Sequence, residues 1–229
     1  MAKINGTTSN DRLIGTARDD MLLGYQGSDT LLGGAGNDYL YASGYLVGYG
    51  ESRRWISEQP TYNLLKGGAG DDILVGGFGS EELYGGPGND DLYTGDLLYG
   101  GGGNDTLYWA EATRLDGGRG IDTLGASSQD LDLRDVPDDK LVDIEVIDIS
   151  VSDGLAENKL TLTKQDILAI SSTTDTLTVV GTEYHFKGDD IDIVVNIVGP
   201  YRDLGVSDGF HRYKVGTGTL LVDTDFTVT

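Results

Sequence analysis

Acidic residues return at a fixed interval in the first half of the chain. Nine units of nine residues each have Gly at position 1, a carboxylate at position 6 and Leu at position 8. The units start at Gly6, Gly15, Gly24, Gly33, Gly67, Gly76, Gly85, Gly100 and Gly117. Their carboxylates are Asp11, Asp20, Asp29, Asp38, Asp72, Glu81, Asp90, Asp105 and Asp122. Carboxylates in one register, in a chain with no Cys and only two His, suit the binding of a hard divalent cation.

The unit also predicts the element that positions these carboxylates. Positions 1 to 6 are rich in Gly and indicate a turn, whereas positions 7 to 9 indicate a very short strand with Leu on one side. One such strand buries little apolar surface, so the copies must stack. We therefore expect an all-β fold, a parallel β-roll (β-solenoid) of nonapeptide repeats, in which two units form one coil. The leucines between its two sheets are Leu13, Leu22, Leu31, Leu40, Leu74, Leu83, Leu92, Leu107 and Leu124.

Stacking brings like charges together. The predicted neighbours are Asp11 and Asp29, Asp20 and Asp38, and Asp72 and Asp90. Two carboxylates a few ångström apart repel by about 1 to 4 kcal/mol, and a divalent cation between them reverses the sign. Carboxylate and carbonyl oxygens favour Ca2+ over Mg2+ or transition metals. The alternative is a solenoid whose Asp side chains only close turns by bonding the backbone, which leaves the stacked charges unexplained.

The units resemble the GGxGxDxUx nonapeptide (U is a large apolar residue) of the repeats-in-toxin (RTX) family, which forms Ca2+-binding parallel β-rolls. The copies at Gly33, Gly67, Gly85, Gly100 and Gly117 fit the pattern fully. The resemblance implies that each ion is held by the carbonyls of positions 2 and 4 and the Asp of one turn. The carbonyls of positions 1 and 3 and the Asp of the turn two units later complete the site.

Transferred to this chain, the resemblance implies at most seven Ca2+ sites. One joins Thr16, Arg18 and Asp20 to Gly33, Ala35 and Asp38, and another joins Gly68, Gly70 and Asp72 to Gly85, Pro87 and Asp90. The other implied ligands are Thr7, Ser9, Asp11, Gly24, Gln26, Asp29, Gly77, Gly79, Glu81, Gly100, Gly102, Asp105, Gly117, Arg119 and Asp122. Glu81 adds a methylene that displaces its oxygens. We expect the first sites to be weak or empty, because Ser9 and Arg18 replace the position-4 Gly.

The distribution of Gly divides the chain into two regions. Residues 1–125 hold 28 of the 36 Gly and residues 126–229 hold 8. We expect the roll in the first region, interrupted by an insertion at 42–66.

The insertion carries Arg53, Arg54 and Trp55 and admits two interpretations. It is either a contact surface or a looped-out excursion whose Trp55 covers the edge of the roll. The excursion is favoured, because shorter interruptions at 94–99 and 109–116 indicate that the roll accepts surface insertions.

The second region is predicted to be a mostly-β cap with one short helix. Apolar residues alternate at Ile144 and Val146, and again at Ile191, Ile193, Val195 and Ile197. This pattern indicates antiparallel or mixed strands with one solvated face. Thr163 is the expected helix N-cap, with Asp166 three residues later. A hairpin is expected to turn at Gly216 to Gly218. A solenoid end requires such a cap, because its edges and core are otherwise open.

Segments of this region resemble the C-terminal target region of large RTX adhesins exported by type I secretion. They are residues 144–150, 158–181 and 218–229. The resemblance implies an uncleaved C-terminal signal read by the ABC transporter complex, and a secreted or cell-surface protein. The alternative is a cap with no export role. The N-terminal sequence has no apolar signal core and the chain has no apolar stretch of about 18 residues, so neither a cleaved signal nor a membrane span is predicted.

Charge and missing motifs exclude further classes. A net charge of -22 argues against nucleic-acid and anionic-membrane partners. The chain has no HExxH, GxSxG or Walker A motif, and His185 and His211 have no matching nucleophile, so no enzyme is predicted. Ice binding is excluded because strand positions 7 and 9 lack regular Thr or Asx rows. The chain begins directly with repeats, which predicts a fragment or a stand-alone module. The alternative function is a Ca2+-dependent module that binds a surface or polysaccharide.

Overall fold

The computed structural model describes most of the chain, in two compact units that span 1–113 and 114–229. The described residues are 1–42, 61–77, 79–108, 112–126, 131–137, 139–149, 159–171, 176–181, 194–223 and 226–229. Within these ranges no helix has the length and apolar character required to cross a membrane. The ninth repeat lies in the second unit, and the division at residue 125 remains a prediction.

The first unit is built from short parallel strands that alternate between two sheets. One sheet has the order β1-β3-β5-β7-β9-β11 and the other the order β2-β4-β6-β8-β10. The strands are β1 (Ala2–Asn5), β2 (Arg12–Ile14), β3 (Asp20–Leu23), β4 (Thr30–Ala35), β5 (Tyr39–Tyr41), β6 (Thr61–Ala69), β7 (Ile73–Val75), β8 (Gly79–Pro87), β9 (Asp91–Tyr93), β10 (Leu97–Gly102) and β11 (Thr106–Tyr108). Neighbouring strands in both sheets pair in parallel, which confirms the predicted parallel β-roll.

Leucine at position 8 forms the core between these sheets. Leu22 pairs with Leu40, Leu40 with Leu74, and Leu74 with Leu92 in the register of the first sheet. All four side chains are fully buried. Burial of a Leu side chain contributes about 1.5 to 3 kcal/mol, so each added coil extends one continuous apolar ladder.

The predicted insertions are shorter than the sequence indicated. β6 begins at Thr61, and its Leu65 pairs with Leu31 and Leu83 and is fully buried. Residues 61–66 therefore belong to the roll. The prediction that 94–99 loops out is likewise wrong for 97–99, where buried Leu98 lies in β10. The reason is physical: stacking requires a buried Leu, and Leu65 and Leu98 keep this position although the full Gly pattern does not precede them in the sequence.

Residues 43–60, with Arg53, Arg54 and Trp55, lie outside the described residues, and so do residues 109–111. The remainder of the predicted 109–116 interruption is partly strand, because β12 begins at Arg114 and its Leu115 is fully buried.

The second unit combines parallel strands with a terminal antiparallel meander. Its strands are β12 (Arg114–Arg119), β13 (Thr123–Gly125), β14 (Leu131–Asp132), β15 (Leu141–Val142), β16 (Val146–Asp148), β17 (Lys159–Thr163), β18 (Thr176–Val180), β19 (Val194–Val198), β20 (Arg202–Ser207), β21 (Phe210–Val215), β22 (Gly218–Asp223) and β23 (Thr227–Val228). A 3-10 turn covers Leu133–Asp135. The strand orders within the unit are β13-β16-β18-β22-β21-β20, β12-β15 and β14-β17-β19-β23. β20, β21 and β22 pair antiparallel, whereas β16 and β19, which contain residues of the pattern that predicted antiparallel or mixed strands, pair in parallel.

The predicted helix and hairpin are both present in this unit. Helix α1 (Lys164–Ile170) begins after Thr163, whose side chain accepts from the backbone of Asp166 while the Asp166 side chain accepts from that of Thr163. This reciprocal pair is a capping box. The hairpin joins β21 to β22, and Gly216 in its turn has φ of +65°. Ile191, Ile193 and His185 lie outside the described residues.

Candidate metal centre

Acidic side chains and one Asn from successive coils of the first unit form two rows. The Asp row consists of Asp20, Asp38, Asp72, Asp90 and Asp105. The mixed row consists of Asp11, Asp29, Asn63 and Glu81. In the Asp row, each backbone N–H donates to Oδ1 of the next member. The distances are 2.8 Å from Asp20 to Asp38, 2.6 Å from Asp38 to Asp72, 2.8 Å from Asp72 to Asp90 and 2.8 Å from Asp90 to Asp105.

The structure brings together all three carboxylate pairs predicted from the sequence. Asp11 donates its backbone N–H to Asp29 Oδ1 at 2.9 Å, and the other two predicted pairs belong to the Asp row. The structure adds two pairs that the sequence did not predict, Asp38 with Asp72 and Asp90 with Asp105. They are 34 and 15 residues apart, whereas a strict period of two units predicts 18.

Position 1 of the repeat must be Gly because its carboxylate lies against it. A Cβ at Gly33 would collide with Oδ2 of Asp38 in the same turn and would lie 2.5 Å from the carbonyl oxygen of Gly67 in the next stacked turn. Gly67 stands in the same relation to Asp72. The position-6 carboxylate is therefore folded back onto its own turn, beside the carbonyl of its neighbour.

The turns also require Gly because the backbones of stacked turns nearly touch. Gly68 and Gly70 have φ of +119° and +124°, and a Cβ on either would collide with the carbonyl oxygen of Gly34 or Gly36. Gly36 donates its N–H to the Ala69 carbonyl at 2.7 Å. Positions 1, 2 and 4 thus place backbone oxygens in columns along the same edge as the Asp row.

Three carboxylates of the Asp row carry a buried oxygen without a donor. Asp38, Asp72 and Asp90 are at most 2% exposed, and within the described residues Oδ2 of each has no hydrogen-bond donor. Burial raises the pKa of Asp38 to about 6 and the pKa values of Asp72 and Asp90 to about 7, with a further contribution from neighbouring carboxylates. Buried, unsatisfied anionic oxygens of this kind are costly unless a cation neutralises them.

The donor set fits Ca2+. Each interval of the Asp row offers two carboxylates and several carbonyl oxygens, and Ca2+ takes six to eight oxygen ligands in flexible geometry. Among the described residues no group of three or more His, Cys, Asp or Glu gathers at one point. Side chains alone are therefore insufficient, and backbone carbonyls must complete the shell.

The first turns satisfy their carboxylates differently. Oδ2 of Asp20 accepts from the backbone N–H and the hydroxyl of Thr16, both at 2.7 Å. Thr7 makes the same two bonds to Asp11, at 2.6 and 2.8 Å. The Ala2 N–H and the Thr16 hydroxyl lower the pKa of Asp20. The Asp20 carboxylate therefore stays charged without a metal ion.

Several of the remaining predicted ligands lie at strand ends: Gly79 begins β8, Gly102 ends β10 and Arg119 ends β12. Gln26 donates its N–H to the Thr7 carbonyl at 3.3 Å, and Ala35 donates to Thr16 at 3.1 Å. In the second unit, Asp122 lies against Gly117 and donates its N–H to Glu145 Oε2 at 2.9 Å. Sequence reasoning missed Glu145, because no Gly-rich turn precedes it.

Sequence reasoning also missed a second ladder at position 5. The Asn37 N–H donates to Asp19 Oδ1, the Asp71 N–H to Asn37 Oδ1, and the Asn89 N–H to Asp71 Oδ1, at 3.0, 3.1 and 2.8 Å. The signal was present, since position 5 is Asn, Asp or Ser in eight of the nine copies. This exposed ladder runs in the opposite sense to the Asp row, because here the later turn donates to the earlier one.

Gly-rich turns that stack carboxylates and carbonyls between three-residue parallel strands define a calcium-binding β-roll. Residues 5–40, 63–92 and 95–108 match the family model of the RTX calcium-binding nonapeptide repeat, in four copies. The match supports an RTX β-roll that binds Ca2+, and such repeats are typical of secreted bacterial proteins. Comparison of the chain with curated proteins finds no match.

Proposed function

We propose that this chain is the C-terminal part of a large secreted RTX adhesin, exported by type I secretion and folded by extracellular Ca2+. The observation that carries the Ca2+-dependent step is the set of buried Oδ2 atoms of Asp38, Asp72 and Asp90, which have no donor among the described residues. Asp20, Asp38, Asp72 and Asp90 would hold the ions together with the turn carbonyls. Bound Ca2+ supplies the positive charge that these stacked carboxylates lack.

Because Ca2+ binds the folded chain, the stability of the fold depends on the Ca2+ concentration of each compartment. With a Kd of about 10^-4 M, typical of extracellular Ca2+ modules, millimolar Ca2+ stabilises the fold by about 1.4 kcal/mol per site. Submicromolar Ca2+ inside a cell contributes almost nothing. Several sites together are comparable with the stability of a domain, about 5 to 15 kcal/mol. The chain would stay unfolded before export and fold as it emerges.

Burial of the C-terminal segment supports recognition before folding. Leu220 and Val222 of β22 are fully buried, and Phe226 is 6% exposed. A transporter that reads residues 218–229 would therefore need the unfolded chain. Calcium-dependent folding outside the cell and an uncleaved C-terminal signal are compatible for this reason.

Circular dichroism of the purified chain tests the folding step. In EGTA we expect a weaker β-sheet signal and a much lower denaturation midpoint, and millimolar Ca2+ should restore both. Mg2+ at the same concentration is the matched control and should have little effect. A spectrum that is unchanged by Ca2+ would refute the proposal.

Export is tested separately with a passenger protein fused to residues 126–229. Cells with a type I system should secrete the fusion, and cells that lack the transporter should retain it. Deletion of residues 218–229 should abolish secretion. Secretion that survives this deletion would argue against a terminal signal and favour a cap without an export role.

A second candidate function is binding of a surface or polysaccharide. Stacked tyrosines favour it, because Tyr93 and Tyr108 have ring centroids 4.1 Å apart, and those of Tyr84 and Tyr99 are 4.8 Å apart. These half-buried rings stand at outward strand positions, and aromatic rings combine apolar faces with polar hydroxyls. A glycan array with the Ca2+-loaded chain tests this function, and loss of binding in Tyr93→Ala with Tyr108→Ala would support it.

A further inference from the structure

The two rows of side chains differ at one place. In the mixed row the third member is Asn63, which is 1% exposed, and not an acid. Its Oδ1 accepts the Asp29 backbone N–H at 2.8 Å, as an Asp of the other row would. Its Nδ2 donates to Glu81 Oε1 at 3.4 Å. An amide N–H thus lies where the Asp row has a carboxylate oxygen with no donor.

The interval between Asn63 and Glu81 does not fit a calcium ion. An interval of the Asp row contains two carboxylates, whereas this one contains only that of Glu81. The Asn63 amide N–H, which carries a partial positive charge, already points at this carboxylate. In the sequence, the six residues that end at Asn63 are EQPTYN and contain no Gly. Among the described members of the mixed row, Asp29 has a buried oxygen without a donor, whereas neither Asn63 nor Glu81 has one.

We propose that the Asn63 amide replaces calcium in this interval, so that the mixed row is broken and the ions concentrate along the Asp row. The inference rests on the proposed Ca2+-dependent folding and specifies which intervals use it. Asn63 holds Asp29 on one side and Glu81 on the other by hydrogen bonds alone. This part of the roll, with Leu65 in the core of the same strand, is then closed without metal.

A matched pair of carboxylate-to-amide substitutions tests this asymmetry. Glu81→Gln and Asp72→Asn change equivalent position-6 residues of the two rows, and both residues are at most 3% exposed. Bound Ca2+ is counted by native mass spectrometry and by equilibrium dialysis of the full chain. Glu81→Gln should bind as many ions as the wild type, and Asp72→Asn should lose at least one. Loss of an ion in Glu81→Gln would overturn the inference.

Restoration of the missing charge gives the converse test. Asn63→Asp should raise the ion count by one, and in EGTA it should lower the denaturation midpoint, because a fourth acid then joins the row. An unchanged count would show that the missing carboxylate is not what breaks the row. A wild-type chain that binds no Ca2+ at all would instead overturn the proposed function, so the two failures are distinguishable.

Discussion

The backbone N–H of Asp38 donates a 2.6 Å hydrogen bond to Oδ1 of Asp72, although the two residues are 34 positions apart. The bond joins turns on either side of the interruption after Tyr41. It shows that the Asp row continues across the interruption without losing a member. Because Asp38 in turn accepts from Asp20, the position-6 residue of each turn both donates to and accepts from its neighbours.

The charge on this row predicts opposite effects of one substitution in the presence and absence of Ca2+. Asp90→Asn keeps an acceptor for the Asp72 N–H but removes a buried charge. In millimolar Ca2+ we expect a loss of about 1.4 kcal/mol of stability for each ion that is lost. In EGTA we expect no loss, because the repulsion between row members decreases. Urea denaturation under both conditions measures the difference.

Asp208→Asn is the control for this substitution. It makes the same change of charge at an exposed turn of the β20–β21 hairpin. It should leave stability within about 0.5 kcal/mol under both conditions. Equal destabilisation by Asp90→Asn with and without Ca2+ would argue against a metal at that carboxylate.

The close approach of stacked turns predicts a large cost for a single methyl group at position 1. Gly33→Ala places Cβ against Asp38 Oδ2 and the Gly67 carbonyl, and should destabilise the chain by about 1 to 3 kcal/mol. Gly102→Ala is the matched control, because a Cβ at Gly102 would have no atom within 4 Å. Thermal unfolding in Ca2+ compares the two. Similar melting temperatures would contradict the assigned contact.

Much of this architecture could be predicted from the period of nine, but residues outside the period could not. Gly, Asp and Leu in register predict the parallel strands, the buried Leu ladder and three of the carboxylate pairs. Asn63 was missed because the sequence before it, residues 58–62, has neither Gly nor Asp, although Leu65 two residues later retains the core position. The pairing of Asp38 with Asp72 depends on how many coils residues 42–66 contribute, and a local pattern does not determine that number.

The position-5 ladder predicts a smaller, Ca2+-independent effect. Asn89 accepts from the Asn104 backbone N–H at 2.7 Å. Asn89→Ala should cost about 0.5 to 1.5 kcal/mol, the usual contribution of one hydrogen bond. Asn89→Asp preserves the acceptor, as Asp71 does in the preceding rung, and should be nearly neutral. Equal stability of the Ala and Asp variants in chemical denaturation would show that the ladder contributes nothing.

The buried acids predict that the Ca2+-free chain becomes less stable as the pH rises. The pKa values of Asp72 and Asp90 are raised to about 7 in the folded state, against about 3.9 for Asp in an unfolded chain. Between these values the folded chain holds protons that the unfolded chain has released. Their stabilising contribution is complete below about pH 4 and is lost as the pH rises through about 7. In EGTA, the denaturation midpoint should therefore be higher at pH 5.5 than at pH 8.

Saturating Ca2+ should reverse this dependence. The ion requires deprotonated carboxylates, so protons compete with it and the affinity should fall as the pH drops below about 7. Denaturation is measured at pH 5.5 and pH 8, each with EGTA and with Ca2+. The midpoint should be higher at pH 5.5 in EGTA and higher at pH 8 in Ca2+. The double variant Asp72→Asn with Asp90→Asn removes both acids and should flatten the pH dependence in EGTA. A midpoint in EGTA that rises with pH would show that these carboxylates are not protonated in the folded chain.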